Sequence, residues 1–286
     1  MVNRKVTWAF FMAVLLVFFF VVHGLAQESP AAATSENYCG KCSLATLKGS
    51  YGVLEQGTVV GQIPGFPPPP WPAVNSVLAT YDGAGNVSGT YTASFGGVIV
   101  PGTFTGTYKV KRDCTYSMEF TALPLGVVLH ETGTITGRGM FQEIHLMYTD
   151  PILVATGTAK KIAPERCSLA TFKGKYALFG EGTITGQIPG FPPPPFPAAH
   201  IGILAADGAG NFSGEDTNSI AGMTLPGTFT GTYTVGPDCT ESATITTSLG
   251  LVVHEAGTIT GPSGHQEIHK IVTDAGWVFA DTAKKQ

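Results

Sequence analysis

Cys42-Ser-Leu-Ala-Thr-Leu-Lys-Gly-Ser-Tyr51 returns as Cys167-Ser-Leu-Ala-Thr-Phe-Lys-Gly-Lys-Tyr176, 125 residues further on. The same offset carries Ile63-Pro-Gly-Phe-Pro-Pro-Pro-Pro70 onto residues 188–195, and 45 of the 76 aligned positions from Cys42 to Ser117 are identical. The offset then falls to 124, a one-residue deletion near Ala122 or Leu123. A period this long holds a complete set of strands, so the chain reads as two domains, 42–161 and 167–286, rather than a solenoid of small units.

Within the first copy, alternating β-branched and aromatic residues predict strands near 49–60, 75–82, 86–95, 102–110, 114–122, 127–135, 140–149 and 152–160. Turn signals separate them at Asp82-Gly-Ala-Gly-Asn86, Lys111 to Asp113 and Thr136 to Gly139. Short consecutive connections favour a meander, and eight antiparallel strands in a meander close on themselves and so remove exposed edges. The expected fold is all-β: two tandem eight-stranded antiparallel up-and-down barrels, with β-sandwiches as the alternative.

Composition agrees. The 286 residues are 43% hydrophobic and 13% charged, with 37 glycines and 20 prolines, which argues against disorder and against long helices. The net charge is -4, and no Lys/Arg cluster is long enough to grip a phosphate backbone, so nucleic acid is excluded as a partner class.

At the amino end, Arg4 and Lys5 precede an apolar run from Val6 to Val22 and then Gly24-Leu25-Ala26. That order reads as a signal peptide over 1–26 with a flexible leader over 27–41, and hence a secreted, periplasmic or cell-surface protein. A membrane is a partner only if the segment stays uncleaved as an anchor helix. Cys42 and Cys114 are 72 residues apart, as are Cys167 and Cys239, so one disulfide per domain is the natural pairing. Each closes a loop worth about 4 kcal/mol in the chain-entropy model. Metal ligation is the other reading of Cys39-Gly-Lys-Cys42, and Cys39 is the odd thiol.

The run Cys42 to Gly52, with Asp82-Gly-Ala-Gly-Asn-Val-Ser-Gly89, Gly102-Thr-Phe-Thr-Gly-Thr-Tyr108, Asp113-Cys-Thr115, Thr149-Asp150 and Gly157-Thr-Ala-Lys160, resembles a group of secreted bacterial proteins of unknown function. The resemblance covers nearly the whole chain after the signal segment, twice. It implies a domain similar in strand number and order to the calycin-like and allene-oxide-cyclase-like barrels, and carries no catalytic residue across.

Three features are candidates for function. His130-Glu131 and Glu143-Ile-His145 recur as His254-Glu255 and Glu267-Ile-His269. If Gly137-Arg138 and Gly261-Pro262 are two-residue turns, His130 faces His145 and His254 faces His269. Glu143 and Glu267 then share those faces, giving a two-His, one-carboxylate set for a divalent transition metal or an acid/base pair; a solvated outer face is the bland alternative. The second feature is the proline-rich loop 61–72, repeated at 186–197, with Phe66 and Trp71, or Phe191 and Phe196, as its aromatics. Four prolines make a stiff extended arm, which serves as a lid, as a docking surface or as a connector covering the domain's own core. The third, Asp82-Gly-Ala-Gly-Asn86 with Asp207-Gly-Ala-Gly-Asn211, is better explained as a glycine-rich turn than as a calcium loop, because the later ligands are missing.

There is no nucleophile elbow, HExxH, phosphate loop or dinucleotide fingerprint, so catalysis is not indicated. The expected role is non-catalytic binding of a small apolar or amphipathic ligand in a barrel cavity. The alternatives are an extracellular interaction module that docks another protein through its proline arms, and a metal-dependent or cyclase-like barrel enzyme.

Overall fold

Alternation of buried and exposed side chains runs through most strands and places one face of each in a closed interior. In Thr115–Leu123, Tyr116, Met118, Phe120 and Ala122 are buried while Ser117 and Glu119 face out. A computed structural model describes residues 42–163 and 166–286. The signal segment, the leader and Cys39 lie outside the described residues.

The first barrel comprises β1 (Gly49–Val59), β2 (Trp71–Tyr81), β3 (Asn86–Phe95), β4 (Val98–Val110), β5 (Thr115–Leu123), β6 (Val127–Thr136), β7 (Glu143–Tyr148) and β8 (Leu153–Lys161). The second comprises β9 (Lys173–Ile184), β10 (Phe196–Asp207), β11 (Asn211–Ile220), β12 (Met223–Val235), β13 (Thr240–Thr247), β14 (Val252–Thr260), β15 (Glu267–Val272) and β16 (Trp277–Lys285). Each is an antiparallel meander that closes when its last strand pairs with its first, β8 with β1 and β16 with β9. The expected up-and-down barrels are therefore present.

One end of each barrel is plugged by a 3-10 turn, Leu44–Leu47 or Leu169–Phe172, with Leu47 and Phe172 fully buried. Tyr108 Oη donates to Leu44 O at 3.0 Å and Tyr233 Oη to Phe172 O at 2.9 Å. The disulfides Cys42–Cys114 and Cys167–Cys239 tie these plugs to the β4–β5 and β12–β13 turns, as the spacing implied. Such crosslinks belong to oxidising compartments. Asp82 and Asp207 serve their own hairpins: Asp82 Oδ1 accepts from Ala84 N at 2.6 Å and Asn86 N at 2.9 Å. The Asn86 side chain and these amides hold the Asp82 carboxyl down at about 2.

Each barrel encloses its own core, yet the two share an apolar side-by-side contact and belong to one compact unit. The outer face of β1–β3 lies on the outer face of β14–β16, where Val74 packs with Ile271, Val278 and Ala280, and Leu54 joins them. Gly52 is required there, because a Cβ at that position would come within 2.1 Å of Thr258 Oγ1. Polar links frame the contact. Ser94 Oγ donates to Trp277 O at 2.5 Å, Gly276 N to Gly97 O at 2.9 Å, and Lys160 Nζ lies 2.9 Å from both Glu143 and Glu267.

Candidate functional site

The histidine and carboxylate sets do not assemble as expected. The β6–β7 connection is six residues long, with a 3-10 turn at Gly139–Phe141, and the register pairs Thr134 with His145 and Glu131 with Tyr148. The second copy likewise pairs Thr258 with His269. Relative to a two-residue turn the strands slide by four residues, which keeps every side chain on its face but parts the imidazoles by about 13 Å along the strand. Both sets sit on the outside of the barrels. His130 lies opposite Glu119 of β5, with Nδ1 2.9 Å from Asp150 Oδ1 and Nε2 3.3 Å from Glu119 Oε2. Asp150 is the main cause of its raised pKa. His254 repeats the bond to Asp274 at 2.8 Å. His145 stands 3.8 Å from Glu143, which is held by Lys160, and His269 is buried in the contact between barrels 3.5 Å from Glu267. Among the described residues no three His, Cys, Asp or Glu side chains are grouped to hold a metal.

The proline-loop aromatics turn onto their own barrels. Phe66 stacks on Trp71 at 5.5 Å, and Trp71 is buried with Val59, Ile63 and Ala73. Phe191 stacks on Phe196 at 6.2 Å in the corresponding cluster with Ile184 and Ile188. Gln62 Nε2 pins the loop by donating to Ile63 O and Phe66 O at 2.9 and 2.8 Å, and Gln187 repeats the pattern. This is the geometry of a rigid connector that covers the barrel end opposite the disulfide.

The chemistry lies inside. In the second barrel Glu255, Lys270 and Asp281 are buried on the inward faces of β14, β15 and β16, and His200 joins them from β10. Lys270 Nζ contacts Glu255 Oε2 and lies 3.1 Å from Asp281 Oδ2. His200 Nε2 is 3.3 Å from Asp281 Oδ1 and its Nδ1 3.8 Å from Asp216 Oδ2. Burial opposes the charge on Lys270, but Asp281, then Glu255 and Glu241, outweigh it and hold the ammonium firmly protonated. The same contest raises His200 to about 10, burial lowering it and Asp281 and Asp216 overcoming that. Burial would raise Asp281 too, yet Lys270 and His200 keep it below the ordinary carboxylate range. Glu241, nearby, is pushed up by burial to about 8. Strand alternation was the available signal for these residues: Lys270 falls between buried Ile268 and Val272, and Asp281 between Phe279 and Ala283.

Above this polar floor is a cavity of about 100 Å³. Ile220, Ile245, Leu251, Val253, Trp277 and Phe279 form its apolar wall. His200 Nε2 and Asp281 Oδ1 are buried without a well-aligned hydrogen-bond partner. In the first barrel the space is divided into smaller gaps, among them two of about 50 and 30 Å³. Its interior is filled by Tyr91, Phe104, Met118, Phe120 and Tyr148, around the buried carboxyls Glu55 and Glu131. Tyr148 Oη and Asn75 Nδ2 donate to Glu55 Oε2 at 2.8 and 2.9 Å. Burial, then the charge of Glu55, raises Glu131 far above its usual value, so the pair keeps a proton.

Compared with known protein families and with curated proteins, the sequence matches none.

Proposed function

We propose that this is a secreted, non-catalytic binding protein whose second barrel takes up a compact amphipathic molecule. One observation carries the reading: a cavity with apolar walls ends on a buried polar floor where His200 Nε2 and Asp281 Oδ1, 3.3 Å apart, face each other without an aligned hydrogen bond. A buried polar pair whose hydrogen bond is poorly aligned leaves donor and acceptor capacity unused, so a guest able to bond both groups gains affinity there. The floor nearly balances its own charge, Lys270 and His200 facing Glu255, Asp281 and Asp216. It therefore favours a neutral head that both donates and accepts, such as a hydroxyl, over a free ion. A volume of about 100 Å³ is smaller than the cavity of roughly 150 Å³ that holds benzene, so it suits a short-chain alcohol rather than a ring.

Calorimetric titration with 1-propanol and 1-butanol tests this, with Trp277 fluorescence as an optical report from the cavity wall. The expected result is saturable 1:1 binding that disappears when Ile245→Trp fills the space, while Phe66→Ala in the first barrel leaves it intact. Absence of saturation in the wild type, or unchanged binding in a folded Ile245→Trp variant, would overturn the proposal.

A further inference from the structure

The contact between the two barrels joins unlike faces. The first copy contributes β1–β3 and the second contributes β14–β16. Because the copies share one fold, each leaves the other face unused. The counterpart of β1–β3 in the second barrel is β9–β11, and there Ile201 is 66% exposed, with Phe179 and Ile203 beside it also exposed. The counterpart of β14–β16 in the first barrel is β6–β8, where Val154 is 67% exposed and Met147 50%. By repeat position Phe179 and Ile201 stand where Leu54 is partly buried and Ser76 buried, while Met147 and Val154 stand where Ile271 and Val278 are buried.

We propose that the free β9–β11 face of one molecule docks on the free β6–β8 face of a second copy of this chain, continuing outward the contact already made between the two barrels. Charge supports that occupant. Inside the chain, Lys160 bridges Glu143 of its own barrel and Glu267 of the other. Lys284 is the repeat counterpart of Lys160; it is half exposed, 3.5 Å from Glu267, and free to meet Glu143 of a docked copy. The new contact differs from the internal one in spacing. Ala177 replaces Gly52, whose missing Cβ admits Thr258, so the sheets ride further apart, and Ile201 in place of Ser76 fills the wider gap. A contact between unlike faces does not close on itself after two molecules, so it yields chains or rings. The faces are centred on the second and seventh strands of an eight-strand circuit, so the path bends at every barrel.

Sedimentation velocity on the purified protein over a wide concentration range tests the proposal. The wild type is expected to assemble beyond the dimer as concentration rises. Ile201→Asp and Val154→Asp each destroy one exposed face and should be monomeric alone, with unchanged circular dichroism. Mixed, they retain one good face each and should form a 1:1 dimer that goes no further. A wild type that stays monomeric up to millimolar concentration overturns the proposal. So does a mixture of the two variants that fails to pair, or either variant dimerising by itself.

Discussion

The two barrels solve the same electrostatic problem in opposite ways. Both bury carboxyl groups: Glu55 and Glu131 in the first barrel, and Asp281, Glu255 and Glu241 in the second. Glu131 and Glu255 are repeat counterparts, but the partner crosses to the facing strand. Glu55 pairs with Gly157 across β1 and β8, whereas Gly180 pairs with Asp281 across β9 and β16. The glycine opposite is needed each time: a Cβ on Gly157 would come within 2.7 Å of Glu55, and one on Gly180 within 2.9 Å of His200. What differs is the neutralising charge. The first barrel has Leu146 and Asn75 and keeps a proton between its carboxyls, while the second has Lys270 and His200 at those positions and uses fixed cations. Replacing Tyr91 and Tyr148 by Asp216 and Val272 removes two rings and opens the cavity. A shared scaffold thus supports an interior divided by aromatic rings in one copy and a single larger cavity over an ionised floor in the other.

The sharpest way to break this comparison is to give the second barrel the first barrel's residue. Lys270→Leu leaves Asp281 and Glu255 buried without their cation and should cost about 3–5 kcal/mol at neutral pH, measured by urea unfolding. Asp281 has a lowered pKa in the native protein, so its stabilising share is present above the ordinary carboxylate value of 3.8 and is lost as pH falls below it. In Lys270→Leu that dependence should reverse, stability improving towards acid as protons replace the ammonium. A cost independent of pH would contradict the account. A smaller effect is expected from Glu131→Gln. Glu131 has a raised pKa, so its contribution is complete below the ordinary value of 4.5 and is lost as pH rises. The amide cannot ionise, and the variant should therefore be more stable than wild type under mildly alkaline conditions by on the order of 1–2 kcal/mol, with a flatter pH profile. An unchanged profile would show that the first barrel does not hold that proton.

The fold was legible because three independent signals agreed: the Cys42/Cys167 duplication, strand alternation and the 72-residue cysteine spacing. Errors gathered where local chemistry was ambiguous. Trp71-Pro-Ala-Val74 belongs to β2, which starts ahead of the expected 75–82, and Pro72 still offers its carbonyl to the turn amide of Gly96. The imidazole pairing failed because Gly137 and Gly139 both take left-handed backbone and support a longer connection than two residues, which no hydrophobic pattern records. The buried ionic floor could have been found, since Glu255, Lys270 and Asp281 occupy inward positions of three consecutive strands.

The most direct test is a pH titration of the side-chain carboxyl carbons by NMR, with Glu131 and Asp281 assigned in one sample. The account predicts that Glu131 remains protonated well above 4.5 while Asp281 remains ionised below 3.8. If the two instead titrate together near their ordinary values, the two interiors are not neutralised differently and the division of roles between the barrels is wrong.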